Sequence, residues 1–76
     1  MPPDDTRALL ARLLRGIAPE VDLDEIDPAA PLAEAAALDS MDFLNLVNVL
    51  YDETGIDVSE RDYPVIATID GFVAYV

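Results

Sequence analysis

Between Gly16 and Glu60 this chain carries twelve acidic side chains and not one Lys or Arg. Like charges cannot be buried without partners, so whatever the stretch folds into must keep its carboxylates in water. Arg7, Arg12, Arg15 and Arg61 supply all the positive side-chain charge there is. The fold therefore has to be assembled from pieces that are apolar on one side and solvated on the other. A hydrophobic fraction of 53% makes this feasible, because disorder requires low hydrophobicity together with high charge.

The chain is 76 residues long and has a formal net charge of −12. That length gives a single domain over residues 1–76, which buries only about 60% of the surface its unfolded form exposes. A thin core leaves little room for an internal substrate cavity. There is no Cys and no His, which removes disulfides, zinc-finger chemistry, thiol nucleophiles and the commonest general base. The absence of Lys removes amine catalysis and phosphate-binding P-loops. The negative surface repels nucleic-acid phosphates and anionic lipid headgroups and attracts basic protein surfaces. No apolar run is long enough to span a membrane, and Met1-Pro2-Pro3-Asp4-Asp5 is the reverse of a basic signal-peptide start. We expect a cytoplasmic monomer that binds neither nucleic acid nor membrane. The initial Met and compact ends are those expected of a stand-alone protein.

The periodicity predicts helices throughout. Leu9, Leu13 and Ile17 recur at four-residue spacing, flanked by Leu10 and Leu14, which gives a first amphipathic helix over about Asp5–Arg15. Asp4 or Asp5 is expected to cap it, Arg12 and Arg15 suit its C-terminal dipole, and Gly16 suits the C′ position. From Pro19 to Ala37, three prolines among Asp22, Asp24, Glu25 and Asp27 predict a long loop, pinned to the core by Val21, Leu23, Ile26 and Leu32.

A second helix is predicted over Ser40–Glu53, capped by Asp39 or Ser40 and ended by Thr54-Gly55. Its inward side is Phe43, Leu46, Val47 and Leu50; Met41, Asp42, Asn45, Asn48 and Asp52 lie opposite. Ser59-Glu60-Arg61-Asp62 resembles a capping box opening one short helical turn, cut off by Pro64. The last helix begins with Thr68 as cap and Asp70 in its first turn, with Ile69, Phe72, Val73 and Val76 inward. No window alternates as a strand would. The expected fold is all-α: a small bundle of three main helices plus one short helix, with a long loop between the first two.

Enzymatic readings fail for want of parts. Ser40 beside Asp39 and Asp42 has no His or Lys to activate it. Asp22 and Asp24 begin like a calcium-binding EF-hand loop, but Asp27 stands at the sixth position instead of Gly and Ala33 at the twelfth instead of Glu. Two carboxylates working as acid and base need a cleft that a bundle of this size hardly provides. No metal site is expected, and the chain is expected not to be an enzyme.

What remains is a serine at the start of an acidic helix that follows a long loop. Leu38-Asp39-Ser40-Met41-Asp42-Phe43, then Leu46-Val47 and Leu50, then Thr54-Gly55-Ile56, resembles the phosphopantetheine attachment segment of acyl carrier proteins and their peptidyl-carrier relatives. The resemblance runs over essentially the whole chain, through the closing Thr68-Ile69-Asp70-Gly71-Phe72-Val73-Ala74-Tyr75-Val76. It implies an acyl carrier protein in which Ser40 receives 4′-phosphopantetheine from coenzyme A through a separate transferase with magnesium. The arm then carries an acyl, aminoacyl or peptidyl group as a thioester. A hydroxyl at a helix N-terminus suits this role, since unpaired N–H groups and the positive dipole end favour the phosphodiester.

By the same resemblance, the transferase and acyl-processing enzymes would dock through basic patches on Asp39, Asp42, Asp52 and Glu53, with Asn45 and Asn48 on the same face and Met41 as an apolar anchor. Leu44 and Tyr51 border the inward stripe and would line a groove for the acyl chain between the second and third helices. Departures from the family pattern are Ala36-Ala37 in place of a common Leu-Gly, Met41 in place of Leu, and Asn45, Asn48 and Tyr51 where fatty-acid carriers often have Glu, Met and Glu. These point to a specialised carrier for polyketide, nonribosomal peptide or similar synthesis. The alternative is an unmodified acidic adaptor that uses the same helix to bind a basic protein.

The charge imbalance generates a measurable expectation. Self-repulsion among sixteen acids and four bases weakens as salt shortens the screening length, so the melting temperature should climb as NaCl or a divalent cation is added to a low-salt buffer. Thermal melts followed by circular dichroism check this, and a flat response contradicts it.

Overall fold

The computed structural model describes residues 2–76. Four α-helices occur among them: α1 (Pro3–Arg15), α2 (Leu32–Ala35), α3 (Ser40–Thr54) and α4 (Ile69–Tyr75). Single 3₁₀ turns lie at Leu23–Glu25, Glu60–Asp62 and Val65–Ala67, and no strand is present among the described residues. The all-α bundle expected from periodicity is the observed fold.

Helix α1 starts two residues earlier than the expected Asp5. Pro3 occupies the first turn, where a missing N–H costs nothing, and no side chain caps the helix. Asp4 and Asp5 lie inside the first turn and act on the helix dipole instead of capping. Thr6 is fully buried, with its hydroxyl donating to the Pro2 carbonyl at 3.1 Å. Gly16 ends the helix in a right-handed conformation (φ −79°), so the left-handed C′ role expected for it is not used.

The segment after α1 is more structured than a bare loop. Asp22 accepts a hydrogen bond from the Asp24 N–H at 2.9 Å and caps the turn Leu23–Glu25, while Asp27 accepts from the Ala29 N–H at 3.0 Å. Leu23 and Leu32 are buried, with Val21 and Ile26 packed more loosely on the core. Helix α2 follows Pro31, and at four residues it is too short to leave a periodic signal in the sequence. Pro28 binds the segment to the other end of the chain, its carbonyl accepting from the Asp70 N–H at 3.0 Å.

The core forms where the apolar faces of α1, α3 and α4 converge. Leu10, Leu32, Leu46, Leu50, Ile66 and Phe72 each have 0% of their surface exposed. Phe43 is only partly buried and meets the Tyr63 ring edge-on, with centroids 5.4 Å apart, which closes the bundle near the start of α3. Surface contacts tie the periphery: Arg7 to Asp24 at 2.9 Å and Arg12 to Glu53 at 2.8 Å. Tyr75 donates from its hydroxyl to Asp62 at 3.0 Å. That hydrogen bond, then partial burial and the negative charges of Asp62 and Asp57, raises the Tyr75 pKa above its usual 10.0.

Two expectations for the last third are corrected. Ser59 precedes the turn Glu60–Asp62 but makes no side-chain cap, so the capping-box reading fails there, and Pro64 leads into a further turn at Val65–Ala67 instead of only ending one. Thr68 caps α4 as expected, accepting from the Gly71 N–H at 2.9 Å. Ile69 and Phe72 are buried, whereas Val73 and Val76 are only partly covered.

Gly71 lets α4 lie against the preceding turn. A methyl group there would sit 1.8 Å from the Val65 carbonyl oxygen, a backbone atom that cannot swing aside. Gly71→Ala should therefore lower stability by about 3 kcal/mol or unfold the chain, because overpacking against backbone is not relieved by rotamer changes. Chemical denaturation of the variant measures this, and a change under about 0.5 kcal/mol would contradict the packing described.

Candidate functional site

Helix α3 begins in a capping box. The Asp39 carboxylate accepts from the Asp42 N–H at 2.8 Å, and the Asp42 carboxylate accepts in return from the Asp39 N–H at 3.4 Å. This makes Asp39 the cap and Ser40 the first helical residue, which resolves the two-way choice left by the sequence. The Phe43 N–H bonds to the Asp39 carbonyl at 3.0 Å. Of the backbone donors in the first turn, those of Ser40 and Met41 are left without partners among the described residues.

The chain approaching Ser40 is held by alternating anchors. Ala36 and Leu38 are buried, and exposed Ala37 between them has φ +54°, the left-handed region. A side chain costs about 1–2 kcal/mol there. Ala37 occupies the second position of the Ala36-Ala37 pair that departs from Leu-Gly, so the departure carries a conformational cost invisible in the sequence. Downstream, Leu46, Val47 and Leu50 fix the helix to the core. Ser40 itself is exposed, standing between Leu38 and the buried turn of α3.

The residues expected around Ser40 do not all share one surface. Met41 is 75% exposed, Leu44 47% and Tyr51 54%. With Asn45, Asn48 and Asp52, which are also exposed, they fall within an arc of about 120° on α3. Asp39 and Asp42 stand at the helix start, each carboxylate turned back onto the backbone. Glu53 pairs with Arg12 of α1 at 2.8 Å and lies on the flank of α3, about 120° around the helix from Met41. Tyr51 borders an open surface trough of about 480 Å³ with Val47, Asn48, Asp52 and Asp57; Leu44 lies outside it and no residue of α4 lines it, so it is not the groove expected between helices. The loop acids Asp22, Asp24 and Asp27 serve local turns and an ion pair. Among the described residues, no three His, Cys, Asp or Glu side chains are grouped as they would be to hold a metal ion. Nor is any helix there long and apolar enough to cross a membrane.

An all-α bundle of this size, with a long structured connection leading into its longest helix, has the architecture of an acyl-carrier-like domain. The chain matches the family model described as the phosphopantetheine attachment site over residues 7–76, and it belongs to that family. Domains of this family are the place where 4′-phosphopantetheine is covalently attached. The start of α3 fits such a group in its chemistry: an exposed hydroxyl lies beside two free N–H donors at the positive end of a 15-residue helix.

Sequence reasoning missed the left-handed turn at Ala37 and the Arg12–Glu53 pair. The first had only the Ala-for-Gly departure as a signal, and the second had none, because its partners are 41 positions apart. Two substitutions should move stability in opposite directions. Ala37→Gly relieves the left-handed strain and should stabilise by about 0.5–1 kcal/mol after the added freedom of the unfolded chain is subtracted. Asp39→Ala removes the cap and should destabilise by about 1 kcal/mol. Urea titrations of both variants check the signs.

Proposed function

We propose that this protein is a carrier whose attachment point is Ser40, and that it serves a specialised biosynthetic pathway. The observation that supports Ser40 most directly is its exposure at the first position of α3, inside the matched family region. The chain has no Cys, His or Lys, so the reactive thiol has to come with the arm. When attached, the arm supplies that thiol, on which an acyl, aminoacyl or peptidyl group travels as a thioester.

The chain's own residues position and present. Asp39 and Asp42 close the helix start on each other's backbone, which leaves the N–H groups of Ser40 and Met41 without partners at the positive end of the helix, where a phosphodiester on Ser40 would be favoured. Leu38 fixes the backbone one residue before the cap. Attachment is the work of a phosphopantetheinyl transferase: the Ser40 oxygen bonds to the phosphorus of coenzyme A, the adenosine bisphosphate leaves, and the serine proton passes to solvent or to the transferase. Acyl-processing enzymes then meet the carrier in turn. Asn45, Asn48 and Tyr51 on the outward side of α3 support a dedicated pathway over the housekeeping fatty-acid one.

Incubating the protein with coenzyme A, Mg²⁺ and a promiscuous phosphopantetheinyl transferase should add about 340 Da. Ser40→Ala should abolish the gain while leaving the circular dichroism spectrum unchanged. No gain with any transferase would favour the unmodified acidic adaptor, and a gain that survives Ser40→Ala would move the attachment point elsewhere.

A further inference from the structure

We propose that the Phe43–Tyr63 ring pair shuts the way from Ser40 into the interior, so that the acyl group rides outside the fold and the cargo is a short or polar acyl unit. This rests on the carrier reading of Ser40 and narrows what the arm bears.

Three residues along an α-helix turn to about 60° short of a full circle and advance about 4.5 Å, which puts Phe43 one turn beyond Ser40 and near it around the helix. Val47 lies two turns along, within about 20° of Ser40. An apolar chain heading inward from Ser40 meets these side chains first. Val47 is 7% exposed and Leu50 beyond it 0%, while the partly buried Phe43 sets its ring 5.4 Å from that of Tyr63 at 67°. At that spacing an edge-on pair of rings is an attractive contact and leaves no gap.

Tyr63 is not a loose flap. Its neighbour Asp62 accepts from the Tyr75 hydroxyl at 3.0 Å, and the Asp70 N–H at the start of α4 donates to the Pro28 carbonyl at 3.0 Å. Gly71 presses α4 so closely on the turn Val65–Ala67 that a Cβ would meet the Val65 carbonyl oxygen. Behind the rings, Ile66 and Phe72 are 0% exposed and Ile69 1%. A run of methylenes enters such an interior only by displacing side chains or spreading helices, since cores are packed as densely as organic crystals.

The outside surface near Ser40 favours polar cargo. The trough on that side of α3 is open to water and carries the Asn48 amide and the Asp52 and Asp57 carboxylates beside Val47 and Tyr51. A long aliphatic chain lying there keeps most of its methylenes in water and gains nothing from the protein. A hydroxyl, amide or ammonium group keeps its hydration and loses nothing by staying out.

Two cargoes on the same arm test this. The whole chain is loaded from acetyl-coenzyme A and from octanoyl-coenzyme A by a promiscuous phosphopantetheinyl transferase with Mg²⁺, and loading is verified by mass. Thermal melts then report whether the octanoyl chain adds to the core, and cleavage by hydroxylamine reports whether the thioester is shielded. For the wild type we expect melting temperatures that differ by less than about 3 °C and cleavage rates within about twofold. Phe43→Ala removes the ring at the entrance, so its octanoyl form should melt more than about 3 °C above its acetyl form and cleave about fivefold more slowly. Tyr63→Ala removes the other ring and is read in the same way should Phe43→Ala fail to fold; the wild-type comparison decides the cargo question whatever the variants do.

A wild type that octanoyl stabilises beyond that margin, or whose octanoyl thioester is cleaved much more slowly than the acetyl one, overturns the proposal and leaves the carrier reading intact, because the arm has been gained. Folded ring variants that treat both cargoes alike overturn it as well, since the rings are then not the barrier. A wild type that gains mass from neither coenzyme A derivative removes the carrier reading and this proposal with it.

Discussion

Burial of leucine, isoleucine and phenylalanine where α1, α3 and α4 meet is the interaction on which the rest of the molecule depends. Leu10 and Leu14 from α1, Leu46 and Leu50 from α3, and Ile69 and Phe72 from α4 are each at most 1% exposed. Each such side chain contributes about 1.5–3 kcal/mol on leaving water. The two ion pairs identified among the described residues lie on the surface and contribute about 0–1 kcal/mol each. In a chain that repels itself, apolar area has to outweigh both chain entropy and charge. No buried side-chain nitrogen or oxygen among the described residues lacks a hydrogen-bond partner, so the core loses nothing to unpaired polar groups.

That core also fixes the start of α3. Leu38 enters it just before the cap and Leu46 two turns after, so Ser40 lies on a short exposed span between two anchors. The capping box acts on this span from inside: it satisfies the N–H groups of Asp39 and Asp42 and leaves those of Ser40 and Met41 for something outside the chain. A serine so placed is presented to solvent at the first position of the helix. Ala37 holds the entry turn in a left-handed conformation. The site therefore carries a modest strain that the buried neighbours Ala36 and Leu38 maintain.

Much of this was legible from local signals. The stripe of Leu9, Leu10, Leu13 and Leu14 gave α1, Asp39 and Gly55 bracketed α3 within one residue of its observed ends, and Thr68 marked the start of α4. These are short-range rules of capping and periodicity, and they held where the element was long or its cap was a good one. They failed where a cap was only plausible. Ser59 caps nothing, Gly16 does not use its freedom, and α1 begins at Pro3 because proline at a first turn substitutes for a capping side chain. Helix α2 escaped because four residues cannot display a period.

The sequence by itself determined that this chain is helical, that it contains no Cys, His or Lys, and that Asp39-Ser40 opens its second long helix. Each of these follows from composition or from contacts within four residues. Only the tertiary structure decided which acids are free. Glu53 looks unpaired until Arg12, 41 positions earlier, is brought beside it, and Asp24, still exposed, is met by Arg7. Net charge is a sum over the chain, whereas a partner meets the potential of one face. How a total of −12 is shared among faces depends on which helix flanks are turned toward each other, and long-range packing of the core sets that.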